Sequence, residues 1–78
     1  QEVILMNSLY TRPEIEDCKL VIQKLNEKNI PFTELTYGFD AIPEHVKSAP
    51  YMVIDNYTIV LNNTQEILEW IDKWEVKS

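Results

Sequence analysis

The sequence predicts a small α/β domain with the element order β-α-β-α-β-β-α, a four-stranded mixed sheet flanked by helices. Three observations carry this: short runs of β-favouring residues at Val3, Ile30, Tyr51 and Tyr57, a helical apolar stripe that begins at Ile15, and a capped periodic segment after Asn63. With 78 residues there is room for one core, so residues 1–78 are read as a single domain. A hydrophobic fraction of 45% and a charged fraction of 26% match ordinary globular composition and not that of disordered chains.

Val3-Ile4-Leu5-Met6 is an unbroken apolar run that suits a strand buried on both faces. Thr11-Arg12-Pro13-Glu14 reads as a helix start, with a hydroxyl cap, a proline whose missing N–H is harmless there, and a glutamate three residues after the cap. The helix then presents Ile15, Cys18, Ile22 and Leu25 on one face, widened by Leu20 and Val21, and stops at Asn29 and Pro31. Ile30 to Tyr37 alternates loosely through Phe32, Leu35 and Tyr37 and ends at Gly38, which predicts the second strand. A crossover helix between these two strands predicts a parallel, right-handed pair.

Asp40 to Ser48 is long enough for a two-turn helix opened by Pro43. Tyr51 to Ile54 and Tyr57 to Leu61 flank Asp55-Asn56, a pair tolerant of positive φ, and predict a β-hairpin with a two-residue turn. Asn63 to Glu66 supplies a cap with a glutamate three residues on, and Ile67, Leu68, Trp70, Ile71 and Trp74 follow at helical spacing.

Seven basic against thirteen acidic residues give a net charge of −6, which repels phosphate backbones and anionic membranes, so neither nucleic acid nor a membrane is expected as a partner. No apolar run approaches the about 18 residues of a membrane helix, and no signal-peptide pattern opens the chain, so a soluble, cytoplasmic protein is expected. Cys18 is the one cysteine, which excludes an internal disulfide. One histidine and one cysteine make no metal-ligand cluster, so no metal is expected. The triplets at Asn56 and Asn62 fit the glycosylation pattern, but nothing else supports a secretory route.

The element order, with Ser48-Ala49-Pro50 directly ahead of the third strand, resembles a compact glutaredoxin, the smallest common version of the thioredoxin fold. The likeness covers nearly the whole chain. It implies a Cys-x-x-Cys pair at the first helix start, a cis-proline at Ala49-Pro50, and a glycine pair before the last helix. Counted from Val3, Thr11 and Glu14 fall on the two cysteine seats. Asn62-Asn63 replaces the glycine pair, and Gln65-Glu66 replaces the acidic pair that would contact glutathione in that family.

With neither seat a cysteine, two-cysteine thiol–disulfide chemistry is excluded, and no catalytic residue is assigned at the degenerate seats Thr11 and Glu14. Thr11 is read as a helix cap. Cys18, seven residues on, is expected about two turns from the helix's positive end and buried in the apolar stripe, with Glu14, Glu16 and Asp17 raising rather than lowering its pKa. His45 is read as a surface residue and Trp70 and Trp74 as packing residues. The expected binding groove is Tyr10, Thr11, Arg12, Ala49, Pro50, Asn62, Asn63, Gln65 and Glu66, with Arg12 and the helix N-terminus receptive to a carboxylate. The reading is therefore a redox-inactive glutaredoxin-like module, a monomer or weak oligomer that binds a protein partner. No cofactor is expected, glutathione being the one that the resemblance would bring. Two alternatives stand beside it. One is a glutaredoxin-type oxidoreductase with thiol or glutathione-linked activity through Cys18, and the other a structural or assembly subunit of only topological similarity.

Overall fold

The computed structural model describes residues 7–55 and 58–74. They form a small α/β protein in the order β1 (Ser8–Thr11), α1 (Glu16–Glu27), β2 (Thr33–Thr36), β3 (Tyr51–Ile54), β4 (Ile59–Leu61) and α2 (Thr64–Lys73). The four strands make one mixed sheet in the order β2-β1-β3-β4. β1 and β2 run parallel with Leu9 opposite Glu34, β1 and β3 run antiparallel with Tyr10 opposite Tyr51, and β3 and β4 close the antiparallel hairpin.

Side chains alternate across this sheet as the pleat dictates. Leu9, Met52, Ile54 and Leu61 meet Val21 and Leu25 of α1 and Ile67 and Ile71 of α2 in the larger core, with Trp70 and Trp74 packed against it. Tyr10 and Val53 point the other way and meet Val46, with Leu35, Tyr37, Ile42 and Tyr51 around them. Both helices thus cover one face, and the segment 37–50 covers the other.

That segment is where the expectation of a second helix fails. Between Tyr37 and Pro50 the chain forms turns and bends, so the order is β-α-β-β-β-α. Its polar groups are spent elsewhere: the Asp40 carboxylate accepts from the backbone N–H of Thr36 at 2.9 Å, and the Tyr37 hydroxyl donates to the Val46 carbonyl. Past Asp40, Val46 N to Pro43 O at 3.1 Å is a single helix-like turn, and Ile42 and Val46 alone offer too narrow an apolar stripe to hold a helix on the sheet.

The first helix also begins later than the capping pattern predicts. Thr11 is the last residue of β1, opposite Thr36, and its carbonyl accepts from Tyr37 N at 3.0 Å. Its hydroxyl donates to Glu34 Oε2 at 3.1 Å and lies 3.3 Å from Thr36 Oγ1, so it caps nothing. α1 starts after Ile15, an extended residue that gives no side-chain cap. The predicted strand at Val3–Met6 lies outside the described residues, and β1 sits further along at Ser8–Thr11. β2 is confined to Thr33–Thr36, four residues within the predicted span.

Tyr51–Ile54 forms the predicted strand, but Ile54 faces Ile59, so four residues rather than two connect β3 to β4. Asp55 takes the positive φ expected of it, at 51°, and Asn56 lies outside the described residues. α2 is capped as predicted: Asn63 Oδ1 accepts from Glu66 N at 2.9 Å, and Asn63 Nδ2 donates back to Glu66 Oε1.

A side chain without an apparent role in the sequence ties these strands together. Asn7, 3% exposed, donates from Nδ2 to the Pro31 carbonyl at 3.0 Å and accepts the Asp55 N–H on Oδ1 at 3.2 Å, while its own carbonyl accepts from Thr33 N at 2.9 Å. Asn7→Ala removes both side-chain hydrogen bonds, whose partners Pro31 and Asp55 are exposed residues, and should lower stability by about 0.5–1.5 kcal/mol per bond in denaturant unfolding. Asn7→Asp keeps the acceptor for Asp55 but loses the donor to Pro31 and should fall between the two. An unchanged midpoint in Asn7→Ala would remove this clamp from the account.

Candidate functional site

At one end of the sheet the C-terminus of β1, the start of α1, the residues ahead of β3 and the loop after β4 meet. Tyr51 opens β3 opposite Tyr10, so Pro50 stands beside the end of β1, and the Ala49-Pro50 bond is cis. Ser48 Oγ donates to the Asn62 carbonyl at 3.5 Å, and Thr64 Oγ1 donates to Asp17 Oδ2 at 3.0 Å, joining the starts of α1 and α2.

The late start of α1 shifts the seats at its N-terminus. Ile15 is the N-cap and Cys18 the third helical residue, its N–H donating to the Ile15 carbonyl at 3.2 Å. Cys18 is therefore in the first turn, not two turns along, and Ile15-Glu16-Asp17-Cys18 occupies the helix start in place of Thr11 to Glu14. Cys18 is buried as expected, at 2% exposure. Burial pushes its thiol pKa up from the ordinary 9.0; a backbone hydrogen bond at Arg12 pulls it down, and the charges of Asp17, Glu34 and Glu14 push it up again. The favourable field of the helix end is thus overcome by desolvation and by carboxylates, and the group stays a thiol at neutral pH.

Of the predicted groove, Tyr10, Thr11 and Pro50 are buried, Arg12 and Ala49 are half-buried, and Asn62, Asn63, Gln65 and Glu66 are exposed. Tyr10 packs edge-on against Tyr51, with ring centres 5.9 Å apart, inside the second core cluster. Asn63 and Glu66 engage each other in the α2 cap. Gln65 lines a different cleft, a cavity of about 390 Å³ between α1 and α2 with Lys24, Lys28, Leu68 and Asp72. The structure therefore brings Arg12, Ala49 and Asn62 to one surface and takes Gln65 away from it.

Arg12 is not held ready for an outside carboxylate. Its guanidinium lies 3.7 Å from Glu14 and stacks 4.0 Å above the Tyr37 ring. Asp17, Glu34 and Glu14 act on Cys18 here, Asp40 closes the turn after β2 and Glu16 stands in the first turn of α1, so this end is acidic. Sequence reasoning missed Glu34, Tyr37 and Asp40, which reach this end only through the β1–β2 pairing, and Ile15, whose seat depends on where β1 stops. It also missed Phe39, at 83% exposure the most exposed large hydrophobic side chain among the described residues. His45 is exposed, with its ring 6.2 Å from that of Tyr51.

Among the described residues no group of His, Cys, Asp and Glu could hold a metal ion, and no helix is long and apolar enough to cross a membrane. No family model, curated protein or solved structure matches the chain.

Cys18 should react slowly with a thiol reagent in the folded protein and rapidly after denaturation, as followed by mass spectrometry. Because its folded pKa is raised, the folded state keeps a proton that the unfolded chain loses. Its contribution to stability is intact below about pH 9.0 and declines as pH rises through the folded value. The fall in melting temperature above that pH should be smaller in Cys18→Ala than in the unaltered protein, and equal slopes would contradict the burial account.

Proposed function

We propose that this chain is a glutaredoxin-like, thioredoxin-fold domain that has lost thiol–disulfide chemistry and binds a protein partner at the end where β1, α1 and Pro50 meet. The sheet order, with a parallel β1–β2 pair and an antiparallel hairpin beside it, agrees with that resemblance. The observation that carries the loss of redox activity is the helix start itself. Ile15 stands three residues before Cys18, where the resemblance calls for the first cysteine, and the remaining thiol is buried and held protonated. A nucleophile must be an accessible thiolate, and Cys18 is neither accessible nor ionised. The same burial disfavours the alternative of activity through Cys18. The binding part of the proposal rests on the convergence of three segments at a surface that needs no cysteine.

The test is a disulfide-reduction assay with dithiol and glutathione donors on the unaltered protein and on Ile15→Cys. The unaltered protein should show no turnover. The half-buried Ile15 position and its spacing from Cys18 should let the variant form an internal disulfide and gain measurable turnover. Turnover by the unaltered protein that vanishes in Cys18→Ala would overturn the redox-inactive reading. Failure of Ile15→Cys to bond with Cys18 would count against the glutaredoxin-like placement.

A further inference from the structure

The turn after β2 displays a large apolar side chain to solvent on a hydrogen-bonded backbone. Phe39 is 83% exposed, while the other exposed large hydrophobics among the described residues, Leu20, Ile59 and Val60, are 39–42% exposed. Three hydrogen bonds close the turn onto Thr36: Phe39 N donates to the Thr36 carbonyl at 3.1 Å, Asp40 N to the same carbonyl at 2.9 Å, and Thr36 N to Asp40 Oδ2 at 2.9 Å. Gly38 makes the turn with φ +92°, and a Cβ there would meet nothing within 4 Å, so the glycine serves the backbone conformation and not close packing. A phenylalanine on a closed turn has only two side-chain torsions to lose when its ring is buried by a partner.

The ring stands at the acidic end of the molecule. Tyr37 N bonds to Thr11 O at 3.0 Å, which seats the turn against the end of β1. Glu34 reaches the Thr11 hydroxyl, Asp40 closes the turn, and Glu14 faces the single guanidinium of Arg12. Carboxylates bordering an apolar anchor favour a basic surface and disfavour a second copy of this acidic chain.

We infer that Phe39 is the anchor of the partner-binding surface, and that the partner is a protein presenting an apolar socket bordered by lysine or arginine. This rests on the partner-binding reading above and specifies the chemistry of the partner. An anchor of this kind places the affinity in one buried aromatic contact and assigns the acidic border to selection and encounter rate.

Three synthetic peptides serve as probes, alternating Lys/Leu, Lys/Ser and Glu/Leu, with amide shift mapping and a salt titration on the intact chain. The Lys/Leu peptide should bind, shift residues 34–40 most, and weaken as salt rises. Phe39→Ser should lower its affinity by about tenfold or more, the loss expected when a buried phenyl is removed, with an unchanged melting temperature because the ring is exposed. The Lys/Ser and Glu/Leu peptides should each bind at least about tenfold more weakly, for want of the apolar or the charged half of the match. The inference falls if Phe39→Ser binds as well as the unaltered protein, if Glu/Leu matches Lys/Leu, if the shifts centre on Lys24, Lys28 and Leu68, or if none of the peptides binds. It falls too if sedimentation shows self-association that Phe39→Ser abolishes, which would make the occupant a second copy. The disulfide assay remains independent: turnover there would sink the redox-inactive reading without touching a docking result.

Discussion

The arrangement depends on one buried amide. Asn7 stands immediately before β1 and satisfies a carbonyl at the approach to β2 and an N–H at the exit of β3, so the three strands are aligned at one end by a single side chain. Both bonded groups are backbone groups of exposed residues, while the amide that holds them is 3% exposed, so it is the Asn7 side chain itself that needs these partners. From that alignment the register Leu9–Glu34 and Leu9–Met52 follows. The placement of Tyr10 beneath the 37–50 segment and of Leu9 beneath the helices follows in turn.

What the sequence made legible was whatever depends on neighbours in the chain. The β-rich run Tyr51 to Ile54 marks β3, and the cap at Asn63 with Glu66 three residues on marks the start of α2, because in each the signal and the structure lie within a few residues. Thr11 shows the limit. Its spacing from Glu14 matches a capping pattern, but its hydroxyl is claimed by Glu34 and Thr36 across the parallel ladder, contacts that no local pattern encodes. The capping pattern places the helix start at Thr11, while the helix begins after Ile15. Ile15 and Cys18 came to be read as a helix interior when they are the cap and the first turn. The predicted helix at 40–48 failed for a related reason, since Asp40 serves the turn at Thr36.

The electrostatics of the α1 end follow from the same geometry. A helix N-terminus attracts negative charge, and Glu16 and Asp17 in the first turn meet that preference. With Glu14 and Glu34 nearby, the end holds more negative charge than the helix field offsets, which turns a location suited to stabilising a thiolate into one that opposes it. The surface character of this end is therefore set by its carboxylates and by the ring at Phe39, with Arg12 occupied by Glu14 and Tyr37.

The two faces of the sheet are closed by unlike means, and this divides the molecule's resistance to opening. One face is sealed by two helices with regular internal hydrogen bonding and a broad aliphatic contact. The other is sealed by an irregular segment that touches the sheet chiefly through Val46, Ile42 and Tyr37. Excursions that lift 37–50 uncover the side chains of Tyr10 and Val53 while leaving those of Leu9 and Met52 covered, so one layer can open without the other. β3, whose side chains alternate between the two cores, is the strand through which the fate of either layer is felt by the other.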